Sequence, residues 1–356
     1  MIKILVVDDS ALVRKLIGQV FATQSDFAVQ FARNGREALD AINLAPPDVV
    51  TLDVHMPEMD GLTCLDRIMI EQPCPVIMVS SMTASGADAT LEALRLGAVD
   101  FVAKPTGAVS LRIGEMAQPL IEKVRAAAGA KLKTSLRLRE RVRHRVGEGA
   151  RDLPHRSAGS SRVATKGEGL VLIGTSTGGP PALEALLTGL PASFPWPIVI
   201  AQHMPATFTG PLARRLNGIS RLTVQEVRDP IVLNPGHAYI GRGDADVIIS
   251  RRGAGLVAMA APALANYPWH PSTDRLVRTA LNHMAASQLI GVLMTGMGND
   301  GAGAMALIHA GGGRTIAEAE ETAVVWGMPG ELVRANGADL VVPLHKIAAE
   351  LKKLVT

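Results

Sequence analysis

Short apolar runs alternate with stretches of helical spacing along the first 125 residues of the chain. An apolar run of about four to six residues predicts a buried strand, and apolar residues that recur every three or four positions predict a helix packed against it. Strands and helices that alternate in this way indicate a parallel, doubly wound α/β sheet, which binds ligands beyond the carboxyl ends of its strands. The predicted strands are residues 3–7, 27–32, 49–53, 76–79 and 99–103.

The same alternation returns in the rear segment, residues 168–356. Apolar runs at 170–173, 197–202 and 289–294 predict buried strands, each followed by helical spacing, and residues 246–259 resemble a β-hairpin. The pattern predicts a second, mainly parallel α/β domain.

Between the two domains, from residue 126 to residue 167, apolar periodicity fades and a block rich in arginine and lysine is followed by glycine and serine. This composition predicts a flexible linker between domains 1–125 and 168–356. A nucleic-acid-binding arm is the alternative, because basic clusters bind phosphates. The segment has no aromatic residues for base stacking and no helix-turn-helix follows it, so no nucleic-acid partner is expected.

Composition narrows the class of protein further. Of the 356 residues, 47% are hydrophobic and 19% charged, which is typical of a folded globular chain. No apolar run reaches the roughly 20 residues of a transmembrane helix, and acidic residues follow the amino terminus too soon for a signal peptide, so no membrane insertion is expected. Cys64 and Cys74 lack metal-site spacing, and a cytoplasmic location fits them best.

Polar side chains stand at the carboxyl end of four of the five front strands. Converging carboxylates repel each other unless a cation joins them, and hard oxygen ligands suit Mg²⁺, which also helps to hold a phosphate. A lone acid at a strand end is usually a cap, but matching positions on several strands predict a magnesium and phosphoryl pocket. These residues are Asp8, Asp9, Asp53, Ser80 and Lys104.

This segment resembles the receiver domain of bacterial two-component response regulators, which implies a flavodoxin-like fold. The resemblance is carried by Asp8-Asp9, by Asp53 within Asp-Val-His-Met-Pro-Glu-Met-Asp-Gly, by Ser80 and by Lys104-Pro105. It implies that Asp53 is the phospho-acceptor, that Asp9 and Asp53 bind Mg²⁺ directly, and that Asp8 acts largely through water. The main-chain carbonyl of His55 is implied as a further ligand.

The same resemblance assigns the switch residues. Ser80 is expected to hydrogen-bond the phosphoryl oxygens, Lys104 to pair with them, and Phe101 to match the aromatic residue that turns inward on activation. Phosphorylation adds charge and acceptor oxygens, which can draw Ser80 and Lys104 into a second arrangement.

In the rear domain, the first strand ends at a glycine-rich turn that contains Ser176. The segment Gly174–Gly178 fits the pattern G-x-S-x-G between a strand and a helix, which exposes a serine oxygen at a sheet edge. A plain tight turn or a phosphate-binding loop is the alternative, although no Gly-Lys-Ser/Thr supports the latter.

Two further residues, His203 and Asp300, also follow buried strands of the rear domain. A serine needs a base to accept its proton, and the base needs an acid that fixes its tautomer, so the three residues predict a catalytic triad. Other acids remain open as alternatives to Asp300, and the other histidines fall on predicted helices, hairpins or loops. The rival acids are Asp229, Asp244 and Asp274, and the other histidines weighed are His237, His270, His283, His309 and His345.

The rear domain resembles the catalytic domain of the chemotaxis protein-glutamate methylesterases, which implies a Rossmann-like α/β fold. The resemblance implies Ser176 as nucleophile, His203 as general base and acid, and Asp300 as the residue that orients His203, with no cofactor at the esterase site. Thr177 and the Met297 backbone are the implied oxyanion and substrate contacts. The matching motifs are Gly174-Thr-Ser-Thr-Gly-Gly-Pro, Gln202-His-Met-Pro, Pro271-Ser-Thr-Asp, Thr295-Gly-Met-Gly-Asn-Asp-Gly and Gly327-Met-Pro.

Together the resemblances imply a phosphorylation-activated enzyme of chemotaxis. Its expected partners are a histidine kinase, as phosphodonor, and the methylated cytoplasmic domains of chemoreceptors, as substrate. It is expected to release methanol from glutamate γ-methyl esters and to deamidate receptor glutamines, with the receiver covering the serine crevice until Asp53 is phosphorylated. A receiver-driven DNA- or RNA-binding regulator is the rival from another class, and it predicts salt-dependent nucleic-acid binding.

Overall fold

The computed structural model describes residues 1–105, 109–130, 169–253 and 255–355. Most of the predicted linker, residues 131–167, lies outside these ranges, and the predicted domain bounds at residues 125 and 168 stay predictions. Within the described residues, no helix is both long enough and apolar enough to cross a membrane.

The front domain is a five-stranded parallel sheet in the order β2-β1-β3-β4-β5, flanked by helices, which confirms the predicted flavodoxin-like arrangement. Its strands are β1 (Ile2–Val7), β2 (Phe27–Ala32), β3 (Val49–Asp53), β4 (Val76–Ser81) and β5 (Asp100–Lys104). Its helices are α1 (Ala11–Ala22), α2 (Gly35–Leu44), α3 (Gly61–Glu71), α4 (Ala84–Leu96) and α5 (Val109–Ala128).

Short polar residues set where the front helices begin. The side chains of Ser10, Asn34, Asp60 and Thr83 accept a backbone N–H from the first turn of α1, α2, α3 and α4 respectively. Each cap satisfies one backbone donor that the helix leaves unpaired, typically worth about 1 kcal/mol. Strand and helix boundaries are thereby fixed just beyond the strand ends that carry the polar pocket.

The rear domain contains a seven-stranded sheet in the order β15-β14-β13-β6-β7-β10-β8, whose pairings are parallel, and this confirms the predicted second α/β domain. The predicted hairpin is also present, as β11 and β12, with β9 paired to β12. The strands are β6 (Leu170–Thr175), β7 (Ile198–Gln202), β8 (Thr223–Val227), β9 (Ile231–Val232), β10 (His237–Gly241), β11 (Ala245–Arg252), β12 (Gly255–Pro262), β13 (Leu289–Leu293), β14 (Arg314–Glu318) and β15 (Leu340–Val342).

Helices cover both faces of the rear sheet. Two of them, α10 and α11, lie outside the helices expected from the sequence, and α10 is only seven residues long. The helices are α6 (Gly179–Thr188), α7 (Ala206–Ile219), α8 (Thr273–Leu281), α9 (Ala302–Ala310), α10 (Met328–Arg334) and α11 (Leu344–Leu354).

The two domains pack directly against each other. One cluster of buried apolar side chains runs from the front sheet into the rear sheet. At the junction the ring of Phe101 on β5 lies 4.4 Å, centroid to centroid, from that of Phe208 on α7, and such aromatic pairs contribute about 0.5–1.5 kcal/mol beyond their buried area. Arg215 on α7 lies 3.5 Å from carboxylate oxygens of both Glu92 on α4 and Glu184 on α6. The front domain is therefore held over one particular part of the rear domain.

Candidate active site

Ser176 stands in a tightly held turn after β6. Its backbone N–H donates to the carbonyl of Thr295 over 3.0 Å, and its own carbonyl accepts the side-chain N–H of Gln202 over 3.1 Å. Gly178 completes the turn with a φ of 76°, in the left-handed region that glycine adopts most easily. These bonds fix the backbone and leave the hydroxyl group of the half-buried serine free to face the adjacent cavity.

The strands β13, β6 and β7 are neighbours in the sheet, and their carboxyl ends carry Asp300, Ser176 and His203 in that order. Nε2 of His203 lies 2.8 Å from Oδ2 of Asp300, and the two side chains are only 8% and 3% exposed. Nδ1 of His203 is buried with no hydrogen-bond partner among the described residues. With Nε2–H donated to Asp300, Nδ1 carries the lone pair that can accept a proton.

Asp300 is held by the start of α8 as well as by His203. The backbone N–H groups of Thr273 and Asp274 donate to it over 2.6 and 3.0 Å, and the Ser272 hydroxyl group donates over 3.0 Å. Burial by itself raises the pKa of Asp300, but the hydrogen bond and charge of His203 and these backbone N–H groups outweigh it and hold the pKa below its usual value. The carboxylate therefore stays ionised and its oxygens are fixed in place.

None of the three rival acids contacts His203 within the described residues. Asp274 accepts the N–H of Ala304 over 3.0 Å, and burial followed by the charge of Asp300 raises its pKa. Asp244 accepts the N–H of Ala206 over 3.2 Å, and Asp229 is exposed on the surface. The geometry brings Asp300, rather than these residues, to the imidazole.

The two expected oxyanion contacts, Thr177 and Met297, line the same cavity as Ser176 and His203. The carbonyl of Thr177 accepts the hydroxyl group of Thr295 over 2.8 Å, whereas the Thr177 hydroxyl group donates to the carboxylate of Asp100 in the front domain. The Thr177 side chain is thus engaged with the front domain, and the roles of both residues in catalysis stay predictions.

The cavity is shared between the two domains and has a volume of about 620 Å³. The rear domain contributes Ser176 and His203, and the front domain contributes Phe101 and Lys123. Since the front domain forms one wall of the space above the serine, a large molecule cannot enter from that side.

The front domain brings its predicted pocket together as expected from the strand ends. Ligand atoms of Asp8, Asp9 and Asp53 lie within 4.8 Å of one another, and Nζ of Lys104 lies 2.8 Å from an oxygen of Asp8 and 2.8 Å from one of Asp53. Burial and then the charge of Asp8 act to raise the pKa of Asp53, and Lys104 opposes them only in part, so the net pKa is raised. A cluster of acids that one lysine does not fully compensate fits a divalent cation.

The switch residues occupy one definite arrangement. The Ser80 side chain is fully buried, and its hydroxyl group donates to the carbonyl of Gly86 over 3.2 Å. Phe101 is 3% exposed, and its ring packs against Phe208 of the rear domain. The His55 side chain is exposed, and its backbone N–H bonds to Asp53.

Sequence reasoning did not single out a second acid–imidazole pair in the cavity wall. Nδ1 of His270 lies 2.9 Å from Oδ1 of Asp246, and His270 lines the cavity together with Trp269, whose ring lies parallel to that of His203 at 6.0 Å. The available signal was the position of Trp269-His270 directly before the Pro271-Ser-Thr-Asp motif. The loop itself carries no periodic pattern.

Comparison with known proteins agrees with this geometry. The family model of the CheB methylesterase matches residues 171–351, and that of the response regulator receiver domain matches residues 4–113. A protein of Rhodopseudomonas palustris named protein-glutamate methylesterase/protein-glutamine glutaminase 2 is 56% identical over 98% of this chain and 97% of its own length. The corresponding protein 3 of Rhodospirillum rubrum is 51% identical over 99% of this chain and 95% of its own length.

Among solved structures, the CheB methylesterase catalytic domain of Thermotoga maritima has a TM-score of 0.51 and 37% sequence identity. It covers 53% of this chain and is itself covered completely. Together, a rear-domain match over residues 171–351, a receiver match at the front and relatives aligned over nearly the full length show that the chain belongs to the CheB methylesterase family, with an amino-terminal response regulator receiver domain.

Proposed function

We propose that this chain is a phosphorylation-controlled hydrolase that removes γ-methyl groups from receptor glutamates and deamidates receptor glutamines. The reaction types come from the names of the relatives, protein-glutamate methylesterase/protein-glutamine glutaminase. The observation that carries the proposal is the buried His203–Asp300 contact with a free Nδ1 on the wall of the cavity that Ser176 also lines.

In the proposed reaction, Oγ of Ser176 attacks the γ-carbonyl carbon and its proton passes to Nδ1 of His203. Asp300 holds the ring through Nε2–H and stabilises the positive charge that forms on it. The tetrahedral intermediate collapses when His203 returns the proton to the leaving oxygen, and methanol departs. Water then attacks the acyl-enzyme, with His203 again as base, and releases the free carboxylate and Ser176. With an amide substrate, the same steps release ammonia.

The unpaired Nδ1 supports this role. Because Nε2–H is donated to Asp300 and no described residue hydrogen-bonds Nδ1, Nδ1 is available to accept the proton of Ser176.

Control by the receiver is proposed to run along β5. Phosphorylation of Asp53 adds negative charge and acceptor oxygens, which attract the Ser80 hydroxyl group and Lys104. Lys104 ends the strand that begins with Asp100 and Phe101, so movement of β5 weakens its contacts with Thr177 and Phe208. Loss of these contacts opens the cavity from the receiver side.

The proposed metal of the receiver is Mg²⁺, held by Asp8, Asp9 and Asp53, with the main-chain carbonyl of His55 as a further ligand. When bound, it neutralises the clustered carboxylates and lets an incoming phosphoryl group approach them. Lys104 supplies the remaining positive charge beside Asp53.

The proposed partners follow from the two halves of the chain. A receiver domain takes its phosphoryl group from a histidine kinase of the chemotaxis system, and a methylesterase needs methylated chemoreceptor cytoplasmic domains. Action on the cytoplasmic part of a receptor places the enzyme in the cytoplasm.

The test is methanol release from a methylated receptor fragment, measured with and without a small phosphodonor. Ser176→Ala is expected to lower the rate by about 10⁶, as the loss of the nucleophile does in other triads. Ser287→Ala, at an exposed serine of the same domain, is the matched control and should leave the rate unchanged. A phosphonate that labels the wild-type protein should fail to label Ser176→Ala, and methanol release that survives this substitution contradicts the proposal.

A further inference from the structure

His270 is the second histidine that lines the active-site cavity, and its imidazole ring is held in one orientation. Nδ1 lies 2.9 Å from Oδ1 of Asp246, a carboxylate that is 1% exposed. The same Asp246 oxygen accepts the backbone N–H of Ser272 over 2.7 Å, and the other oxygen accepts Arg275 over 2.6 Å. Three groups of the stretch 270–275 therefore meet on this acid, and the ring is oriented through its Nδ1 contact.

Those contacts also indicate which nitrogen faces the cavity. Nδ1 is the ring nitrogen that contacts the carboxylate of Asp246 and, as an N–H, donates to it. In the tautomer with the proton on Nδ1, Nε2 is an acceptor. His270 lines the cavity, and its side chain is 23% exposed, so Nε2 is open to a group that enters.

The position of His270 is tied to the catalytic base through its neighbour. The Trp269 ring lies parallel to the His203 ring, with centroids 6.0 Å apart and planes 6° from each other. Trp269 also packs so closely on Gly298 that a Cβ atom there would meet the indole at 2.8 Å. His270 therefore directly follows a side chain held between the His203 ring and the Met297 loop, in the wall of the same cavity.

The two substrates of the proposed reaction differ only at the leaving group. A methyl ester presents an oxygen and a methyl group, with no hydrogen to donate. A glutamine amide presents N–H groups, which lose their water when the substrate enters the crevice and need an acceptor there.

We propose that His270 selects the amide substrate, by accepting a hydrogen bond at Nε2 from the leaving nitrogen of glutamine. This assignment rests on the proposed function and adds to it a residue that separates deamidation from demethylation. The site pairs one catalytic imidazole, His203, with one substrate-contacting imidazole, His270, each oriented by a buried carboxylate.

The test compares His270→Asn with His270→Gln in the phosphorylated full-length chain. Asparagine keeps a polar atom close to the place of Nδ1, and so a contact with Asp246, but has no atom at the place of Nε2. Glutamine carries a polar atom at about the reach of Nε2. The probes are one receptor fragment with a methylated glutamate and the same fragment with glutamine at that position.

For His270→Asn we expect kcat/KM for ammonia release to fall about tenfold, the effect of one hydrogen bond of ordinary strength, and methanol release to change by less than about threefold. His270→Gln should recover part of the ammonia release. His283→Asn, at an exposed histidine, is the matched control and should leave both rates unchanged. Phosphonate labelling of Ser176 and thermal unfolding show whether each variant keeps its fold.

Other results overturn the assignment. Equal losses of methanol and ammonia release in His270→Asn, or no loss of either, mean that His270 does not select the amide. A wild-type protein that releases methanol but no ammonia overturns only the proposed role of His270 and leaves the proposed esterase function standing. A wild-type protein that releases neither product overturns the proposed function itself.

Discussion

The hydroxyl group of Thr177 in the rear domain donates a hydrogen bond to the carboxylate of Asp100 in the receiver sheet. Thr177 follows the proposed nucleophile directly, and Asp100 starts the strand that ends at Lys104 of the phosphorylation pocket. Oδ1 of Asp100 is also 2.9 Å from Nζ of Lys123. One carboxylate therefore connects the nucleophile turn to the strand whose far end faces Asp53.

Asp100→Ala is expected to raise the activity of the unphosphorylated enzyme. A hydrogen bond to a charged group contributes roughly 1.5–3 kcal/mol, so its loss from the closed state should raise methanol release about tenfold or more. The measurement is the rate with and without phosphodonor, and the phosphorylated rate should match that of the wild type.

The matched control is Asp88→Ala, an exposed acid on α4 of the same domain, which should behave as wild type. Phosphorylation of Asp53 in the Asp100 variant shows that its receiver is still folded. A basal rate that rises less than twofold in such a folded variant contradicts the proposal that the Thr177–Asp100 hydrogen bond stabilises the closed state.

Asp300→Asn is expected to lower kcat for methanol release by about 10⁴, because the amide cannot stabilise the imidazolium of His203 and presents the wrong tautomer to it. Asp274→Asn is the comparison, since its Oδ1 keeps the bond from Ala304 and it does not touch His203. That variant should stay within about tenfold of wild type. If the two substitutions cost the same, Asp300 has no special relation to the base.

Phosphodonor stimulation is expected to require both Asp53 and Mg²⁺. Asp53→Asn should keep the basal rate of methanol release and lose all stimulation, and a chelator of divalent cations should have the same effect on the wild type. Asp60→Asn is the matched control, because asparagine caps α3 as well as aspartate does. Stimulation that persists in Asp53→Asn assigns the phosphoryl group to another residue.

The two cysteines are expected to be unreactive in the folded chain. Burial raises the pKa of both Cys64 and Cys74 to about 12, so neither forms an appreciable thiolate near pH 8. A disulfide reagent at pH 8 should label neither thiol until urea is added. Rapid labelling without urea shows that the receiver core opens.

The same pKa shift predicts how stability changes in alkaline solution. Above about pH 9 the thiols of the unfolded chain lose protons that the folded chain retains, so the free energy of unfolding falls as pH rises from 9 to about 12. The slope is up to about 1.4 kcal/mol per pH unit for each thiol. Urea unfolding of wild type and of Cys64→Ala/Cys74→Ala at pH 8 and pH 10 measures the contribution.

The convergence of Ser176, His203 and Asp300 followed from the sequence because of one geometric rule. Parallel strands end at a common edge, so residues that directly follow buried strands are brought together whatever their separation along the chain. The same rule predicted the cluster of Asp8, Asp9 and Asp53. Apolar runs identify such strands reliably, because a strand covered on both faces is apolar throughout.

Other features could not be read from the pattern. The choice of Asp300 over Asp274 depends on how α8 approaches the sheet, which no periodicity describes. The contact between Thr177 and Asp100 depends on how two domains dock, and the predicted linker carries no information on that. The pairing of His270 with Asp246 joins an aperiodic loop to the first strand of the hairpin.

The three residues of the proposed triad follow three adjacent strands, and 97 positions separate His203 from Asp300. A nascent chain that has emerged only as far as β7 holds the serine and the imidazole but lacks the strand that brings the carboxylate. We therefore expect the proposed triad to form only after β13 has inserted beside β6, by which stage the receiver domain has already been translated.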